Sequence, residues 1–263
     1  MITGSTKLYA IVADPIAQVK TPEVLNSYFA KQNMDAVLVP VHVDVNGLAA
    51  VFTAFRSMKN LGGVIVTVPH KTVAAQLCDD LGPAGRAIGS VNVIRRMPDG
   101  SLLGDTFDGA GFVSGLCRQG HDPKGKRALL VGSGGAAGAI AFSLAQAGVA
   151  SLTIANRTRA KAQDIVDRVA AVFPQVTLLV GAADPTGHDL VINATSLGMQ
   201  ASDPLPLDVS RLTPGMVVAE IIMKPEQTPL LLAAQDKGCF VHYGKHMLEQ
   251  QVNLIAQFML DTD

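Results

Sequence analysis

Lys71 ends the run Val66-Thr67-Val68-Pro69-His70-Lys71, in which polar residues follow directly on an apolar, strand-like stretch. In a parallel α/β sheet the edge just past the strand ends is where ligands bind. An amine held there in a desolvated, cationic or hydrogen-bonded setting has its pKa lowered into the range useful for giving and taking protons. Such a lysine requires an orienting partner. Asp108, in Gly104-Asp105-Thr106-Phe107-Asp108-Gly109-Ala110-Gly111, lies at an inferred domain junction, where it would hold a substrate hydroxyl together with Lys71. Asn92, in Gly89-Ser90-Val91-Asn92-Val93, would complete that grip. Taken singly, each also suits a structural part: a surface lysine, a helix N-cap aspartate, a turn asparagine.

A second set of residues has the spacing of a nucleotide site. Arg127-Ala128-Leu129-Leu130-Val131 reads as a strand and Ala136 to Ala147 as a helix, and between them lies Gly132-Ser133-Gly134-Gly135-Ala136-Ala137. The first glycine allows a tight turn, the second lets the backbone approach a pyrophosphate, and small residues after it let helix and strand pack closely. The next apolar strand, Ser151 to Ala155, ends in Asn156-Arg157-Thr158-Arg159-Ala160-Lys161. An NAD enzyme usually carries Asp or Glu there for the ribose 2′-hydroxyl, whereas Arg157, Arg159 and Lys161 suit a 2′-phosphate and hence NADP. A tight strand-to-helix turn followed by a solvated basic helix start is the plainer alternative.

Elements that position these groups can be read from periodicity. The chain of 263 residues is long enough for two modest domains, and 48% hydrophobic with 16% charged residues fits a helix-covered α/β protein without disorder. A formal charge of −1 with no basic face argues against a nucleic-acid partner. Mean hydropathy is positive, yet no apolar run approaches the roughly 20 residues of a spanning helix. The first residues lack the pattern of an export signal, so a cytoplasmic location is expected. Cys78, Cys117 and Cys239 are odd in number and far apart, which predicts buried reduced thiols. His242 and His246 lack a third ligand, so no metal site is expected.

Strand-like runs at Leu8–Ala13, Ala36–Val43 and Gly63–Val68 alternate with helical patterns at Thr21–Lys31 and Asn46–Met58, which implies βαβ units. Thr21-Pro22-Glu23 reads as an N-cap, a first-turn proline and an early acid. Ser90–Arg95 and Ser101–Gly104 flank the turn Arg96-Met97-Pro98-Asp99-Gly100, predicting an antiparallel hairpin. A helix over Gly109–Arg118 and strands at Arg127, Ser151, Val176, Leu190 and Val217 predict an open, doubly wound sheet. A strand-like piece over Cys239–Tyr243 and a helix over Lys245–Leu260 follow, the helix returning to the first domain. The expected division is 1–104, 105–239 and 240–263, with short connections and a cleft between the domains.

Taken together, these motifs make the chain resemble the shikimate dehydrogenase family from about Ala13 to Gln251. The resemblance is carried by Val66-Thr67-Val68-Pro69-His70-Lys71, Gly89-Ser90-Val91-Asn92, Asp108-Gly109-Ala110-Gly111, the Gly132–Ala137 loop, Asn156-Arg157-Thr158, Asn193-Ala194-Thr195-Ser196-Leu197-Gly198-Met199, Thr228-Pro229-Leu230-Leu231, and Met247-Leu248 with Gln251. It implies an N-terminal α/β substrate domain, a Rossmann-type NADP domain, and reversible hydride transfer between the nicotinamide and a ring carbon bearing a hydroxyl. It further implies Lys71 and Asp108 as the catalytic pair, with Asn92, Thr67 and Gln251 lining the substrate site. His70 matches a structural position of the pattern. Gly132, Ser133, Gly134, Gly135, Ala136, Asn156, Arg157, Thr158 and Lys161 would hold the cofactor, with Asn193 and Thr195 bordering its nicotinamide half.

Departures from the family pattern cluster at one end of the substrate. A Ser-x-Ser-Pro element that grips the substrate carboxylate reads Val19-Lys20-Thr21-Pro22 here, so one hydroxyl is lost and the other is a threonine. Ile65 stands where a neighbouring motif of the family has asparagine, the family's Asn-Thr-Asp reads Thr106-Phe107-Asp108 here, and Met223 replaces a tyrosine near cofactor and carboxylate. The hydroxyl-handling end is intact and the carboxylate-handling end is altered. An NADP enzyme acting weakly on shikimate, or on a related cyclic hydroxy acid, as a monomer or homodimer, is expected. The alternatives are NAD-dependent quinate or shikimate oxidation, and a non-catalytic metabolite sensor of the same fold.

Overall fold

A computed structural model describes residues 2–260; Met1 and residues 261–263, the outermost parts of the expected domain ranges, lie outside the described residues. The chain divides into two compact units, Met1–Phe107 with Val252–Asp263, and Asp108–Gln251.

Unit 1 runs β1 (Lys7–Ala13), α1 (Thr21–Lys31), β2 (Ala36–His42), α2 (Leu48–Ser57), β3 (Leu61–Val66), α3 (Lys71–Leu77), β4 (Asp80–Leu81), α4 (Pro83–Ile88), β5 (Val93–Arg96) and β6 (Leu102–Asp105). The sheet order is β2-β1-β3-β5-β6-β4. β2, β1 and β3 are parallel, and β5 returns antiparallel. β3 is buried along its whole length, as expected of a parallel strand covered on both faces. Its residues Leu61, Val64 and Val66 pack with Leu48, Phe52 and Phe55 of α2 and with Ala10 and Val12 of β1. The Asp99-Gly100 hairpin forms as expected: Met97 N–H donates to Ser101 O at 2.8 Å, and Gly100 takes a φ of 93°.

One expectation fails here. Thr21 is not the cap of α1 but its first residue; Lys20 occupies the cap position without a side-chain bond to the helix N–H groups. The first helical bond runs from Val24 N–H to Lys20 O at 3.4 Å, so the helix starts one residue earlier than the threonine suggested.

Unit 2 runs α5 (Asp108–Arg118), β7 (Arg127–Val131), α6 (Gly135–Gln146), β8 (Ser151–Ala155), α7 (Arg159–Val172), β9 (Thr177–Val180), β10 (Leu190–Asn193), β11 (Val217–Glu220), α8 (Pro229–Asp236), β12 (Phe240–His242) and α9 (Gly244–Leu260), whose last residues count with unit 1. All strands of its sheet are parallel, in the order β12-β11-β10-β7-β8-β9. Numbered within the unit this is 3-2-1-4-5-6 read from β9, the doubly wound order, with the reversal between β7 and β10. Close approach of α5 to its neighbours depends on missing side chains: a Cβ at Gly109 would lie 1.9 Å from Ala139 O in α6, and one at Gly111 2.9 Å from Met247 O in α9.

The expected burial of the cysteines is not observed. All three are free thiols, but Cys117 is exposed on the last turn of α5, and Cys78 and Cys239 are half-buried. Among the described residues no helix is long and apolar enough to cross a membrane, and no group of three or more His, Cys, Asp and Glu is arranged to hold a metal ion.

Candidate active site

At the reversal point of the unit 2 sheet, a cavity of about 720 Å³ opens between the loops that follow β7, β8 and β10. Gly132, Ser133 and Gly134 form its β7 wall. Gly132 adopts a φ of 123°, a conformation side chains rarely take, and a Cβ there would lie 2.6 Å from Ala194 O. Two strand-end loops therefore close on each other only because this residue has no side chain. Gly134 caps α6 with its backbone extended and no side-chain bond to the helix. The first N–H groups of a helix lack intrahelical partners and carry partial positive charge, and Gly134, the cap of α6, lines the cavity. Gly135 and Ala136 begin α6 behind the loop and do not line the cavity.

Asn156, Arg157, Thr158 and Lys161 form the β8 wall. Asn156 Nδ2 donates to Thr158 O at 3.0 Å, which shapes the turn into α7. Arg157 and Lys161 are exposed, one turn apart, with no acid among the residues lining this cavity. Arg159 does not line it. A glycine cradle, a helix start and two exposed cations fit a dinucleotide whose ribose carries a 2′-phosphate.

The β10 wall is Ala194 to Leu197. Thr195 belongs to it, but Asn193 does not: it is fully buried, with its carboxamide turned inward. Asn193 Nδ2 donates to both oxygens of Glu220, at 3.2 and 3.0 Å, and to Leu197 O at 2.9 Å. Its Oδ1 accepts from the Thr195 N–H and hydroxyl. Met223, 46% exposed, lies on the segment that follows β11 and does not line the cavity.

At the N-terminus of α5, Asp108 is 3% exposed and its Oδ1 accepts from Gln251 Nε2, a side chain itself 8% exposed. Two residues far apart in sequence, one expected to be catalytic and one to bind substrate, are thus joined directly.

Unit 1 presents the other candidates at the carboxyl ends of its parallel strands. Thr67 follows β3 half-buried; its N–H donates to Val12 O at 3.2 Å and its carbonyl accepts from His70 N–H at 2.9 Å. That turn delivers Lys71, half-buried, as the first residue of α3. The Lys71 carbonyl accepts from Val91 N–H at 3.0 Å, which brings Asn92 alongside. Asn92 is 2% exposed, and its Oδ1 accepts from Phe107 N–H at 3.0 Å. His70 is fully buried, with Nε2 2.7 Å from Val43 O. A carbonyl only accepts, so that nitrogen carries the proton and ties β2 to α3. Val19 and Thr21 are half-buried at the start of α1. Ile65 is only 5% exposed and lies in β3 opposite Ile11 and Val93, so its apolar side chain serves the sheet.

Two features escaped the reading of the sequence. Glu220 is fully buried, and burial pushes its carboxyl above the usual carboxylate range while hydrogen bonds from Asn193, Ile222, Ile221 and Thr228 oppose that rise. A lone acid closing the apolar strand Val217–Glu220 was the available signal. The second is Asp14, whose Oδ1 lies 2.9 Å from His42 Nε2 and whose N–H donates to Val68 O at 3.2 Å. It adds a carboxylate to the strand edge that carries Thr67.

Comparison with known proteins converges on one family. A family model described as shikimate dehydrogenase substrate binding domain matches residues 11–94, and one described as shikimate / quinate 5-dehydrogenase matches residues 116–199. The chain is 38% identical over 256 residues to the shikimate dehydrogenase (NADP(+)) of Rubrobacter xylanophilus, covering 95% of this chain and 89% of that protein. Among solved structures it is similar to shikimate 5-dehydrogenase from Listeria monocytogenes in complex with shikimate and NAD, with TM-score 0.92, 30% identity, and coverage of 100% of this chain and 94% of that one. It is also similar to the ligand-free 5-ketofructose reductase of Gluconobacter sp. strain CHM43, with TM-score 0.88, 32% identity, and coverage of 97% and 93%.

Proposed function

The chain belongs to the shikimate dehydrogenase family, and from that premise we propose that it is an NADP-dependent oxidoreductase interconverting a ring hydroxyl and a ketone on shikimate or a related cyclic hydroxy acid. The observation that carries the cofactor assignment is the pairing of the Gly132 cradle with Arg157 and Lys161 on one cavity. Unit 2 takes the dinucleotide and unit 1 the substrate. A cytoplasmic monomer or homodimer, with no nucleic-acid partner, completes the reading.

When bound, the dinucleotide supplies or accepts the hydride. Everything else falls to side chains. In oxidation the neutral Lys71 amine takes the proton of the reacting hydroxyl; in reduction the Lys71 ammonium returns a proton to the oxygen formed. Asp108 holds that hydroxyl oriented, and Gln251 Nε2, donating to Asp108 Oδ1, holds the carboxylate in place. Asn92 and Thr67 position the ring, and Val19, Thr21 and Met223 bear on its substituent end. Asn193 contributes by shaping the β10 wall.

A second reading of the substrate is favoured by particular residues. Val19 and Met223 offer no charge-assisted bond to a carboxylate, and Asp14 places a negative charge on the strand edge that carries Thr67. Such an edge suits a neutral polyhydroxylated ketone of the kind named for the Gluconobacter protein. Turnover of shikimate, quinate and 5-ketofructose should therefore be compared with NADP(H) and NAD(H). Faster reaction with the NADP form supports the proposal, and failure of every pair overturns it.

A further inference from the structure

The β10 wall of the cofactor cavity has no helix or strand to hold it, yet a chain of hydrogen bonds runs from it to a buried acid, with one Asn193 bond returning to Leu197 O at 2.9 Å. Leu197 N–H donates to Thr195 Oγ1 at 3.0 Å, and the Thr195 hydroxyl and N–H donate to Asn193 Oδ1 at 2.7 and 3.1 Å. A hydroxyl has one proton and two lone pairs, so Thr195 Oγ1 gives its proton to Asn193 while a lone pair accepts from Leu197. Asn193 in turn must present oxygen to Thr195 and nitrogen to Glu220, where Nδ2 meets both carboxylate oxygens. An ionised carboxylate is the one side-chain end that accepts on every side. Glu220 uses this fully: it also accepts from Ile221 N–H at 2.9 Å, Ile222 N–H at 3.2 Å and the Thr228 hydroxyl at 3.1 Å.

We infer that Glu220 is a positioning residue for the cofactor: through Asn193 and Thr195 it fixes the Ala194–Leu197 wall, and so the half of the dinucleotide away from Arg157, without touching the cofactor itself. The inference rests on the NADP assignment proposed above. Glu220 fixes which way the Asn193 amide is turned. With an amide in its place, an NH₂ group would face the donors of Asn193, Ile221 or Thr228, and the Asn193 group would have reason to rotate. Rotation would set an NH₂ against the Thr195 N–H and hydroxyl, and the wall would lose its register. The β8 wall shares none of these bonds.

The test compares Glu220→Gln with the parent protein by calorimetric titration of NADP and of adenosine 2′,5′-bisphosphate, which carries only the end of the cofactor that Arg157 and Lys161 would hold. NADP binding is expected to weaken about tenfold or more in the variant, as for loss of a charge-assisted bond, while the bisphosphate stays within about twofold. Thr228→Val is expected to lower the melting temperature, because Thr228 also caps α8 through Leu231 N–H, yet to leave NADP binding within about threefold. Should Glu220→Gln not fold, Glu220→Asp keeps the charge on a shorter arm and reads the same ratio, with NADP alone weakened about threefold to tenfold. Equal weakening of both ligands, or no weakening of NADP, overturns the inference. Failure of the parent protein to bind either ligand faults the NADP assignment instead.

Discussion

The cofactor cavity of unit 2 and the substrate edge of unit 1 are built from different materials. Around the cavity the decisive features belong to the backbone: the φ of 123° at Gly132, its approach to Ala194 O, and the extended Gly134 that opens α6. Side chains add the sign of the charge through Arg157 and Lys161 and, from behind the β10 wall, the bonds that run from Thr195 through Asn193 to Glu220. At the substrate edge the backbone merely delivers Thr67, Lys71 and Asn92, and everything specific is a side chain. A backbone site admits few substitutions, because a Cβ at Gly132 has nowhere to go. A side-chain site can exchange serine for valine at position 19 and keep its fold. On the proposed assignment of the site residues, the contrast allows one chain to keep its cofactor cradle and proton chemistry while its grip on the far end of the substrate departs from the family pattern.

The sharpest way to break this contrast is to remove the groups assigned to proton transfer. Lys71→Met and Asp108→Asn should each lower turnover by roughly 10²–10⁴-fold, the worth of positioned proton transfer, with NADP affinity within about twofold by titration. Retention of most turnover by either variant would move the acid/base role elsewhere.

The two units also differ in how they hold a buried histidine. His70 in unit 1 has its Nε2 bonded, but both ring nitrogens of His242 in unit 2 lack a partner among the described residues. Burial, with smaller contributions from His246 and His121, pushes His242 from 6.5 down to about 4. The ring is neutral in the fold, while the unfolded chain takes up a proton below pH 6.5. Stability from this residue is therefore lost as pH falls from about 6.5 to about 4, and the loss levels off below. Its size is on the order of 3 kcal/mol. Urea unfolding of the parent and of His242→Phe at pH 7 and pH 4 should show the parent losing more by this amount; equal losses would contradict the assignment.

A smaller effect is expected at the cavity rim. Arg157→Ala removes a charge-assisted contact of roughly 1.5–3 kcal/mol and should raise the NADP dissociation constant about tenfold to a hundredfold while sparing NAD. Equal loss for both cofactors would return the residue to the role of a solvated helix start.

Legibility follows the same division of materials. The glycine loop and the Asp99-Gly100 hairpin were readable because each demands particular residue types at particular backbone angles. The doubly wound order of unit 2 was readable from the alternation of strands and helices. The start of α1 was not, because Thr21 and Lys20 are both admissible and the choice lies with the Val24 N–H bond. The short helices α3 and α4 carry too few residues to show a period. The inward turn of Asn193 depends on Glu220, twenty-seven residues away, and the Asp108–Gln251 bond spans 143 positions. No local pattern encodes such pairs.

The central claim, intact hydroxyl chemistry beside an altered carboxylate end, is tested most directly by the Michaelis constant for shikimate in NADP-dependent oxidation, measured on the parent and on Val19→Ser/Met223→Tyr. Each missing bond to a charged carboxylate is worth roughly 1.5–3 kcal/mol, so two together weaken binding about a hundredfold or more. The account predicts weak shikimate binding in the parent, tightened by the double substitution while turnover changes only a few-fold. A micromolar constant in the parent, or a double variant that changes turnover and not binding, would contradict it.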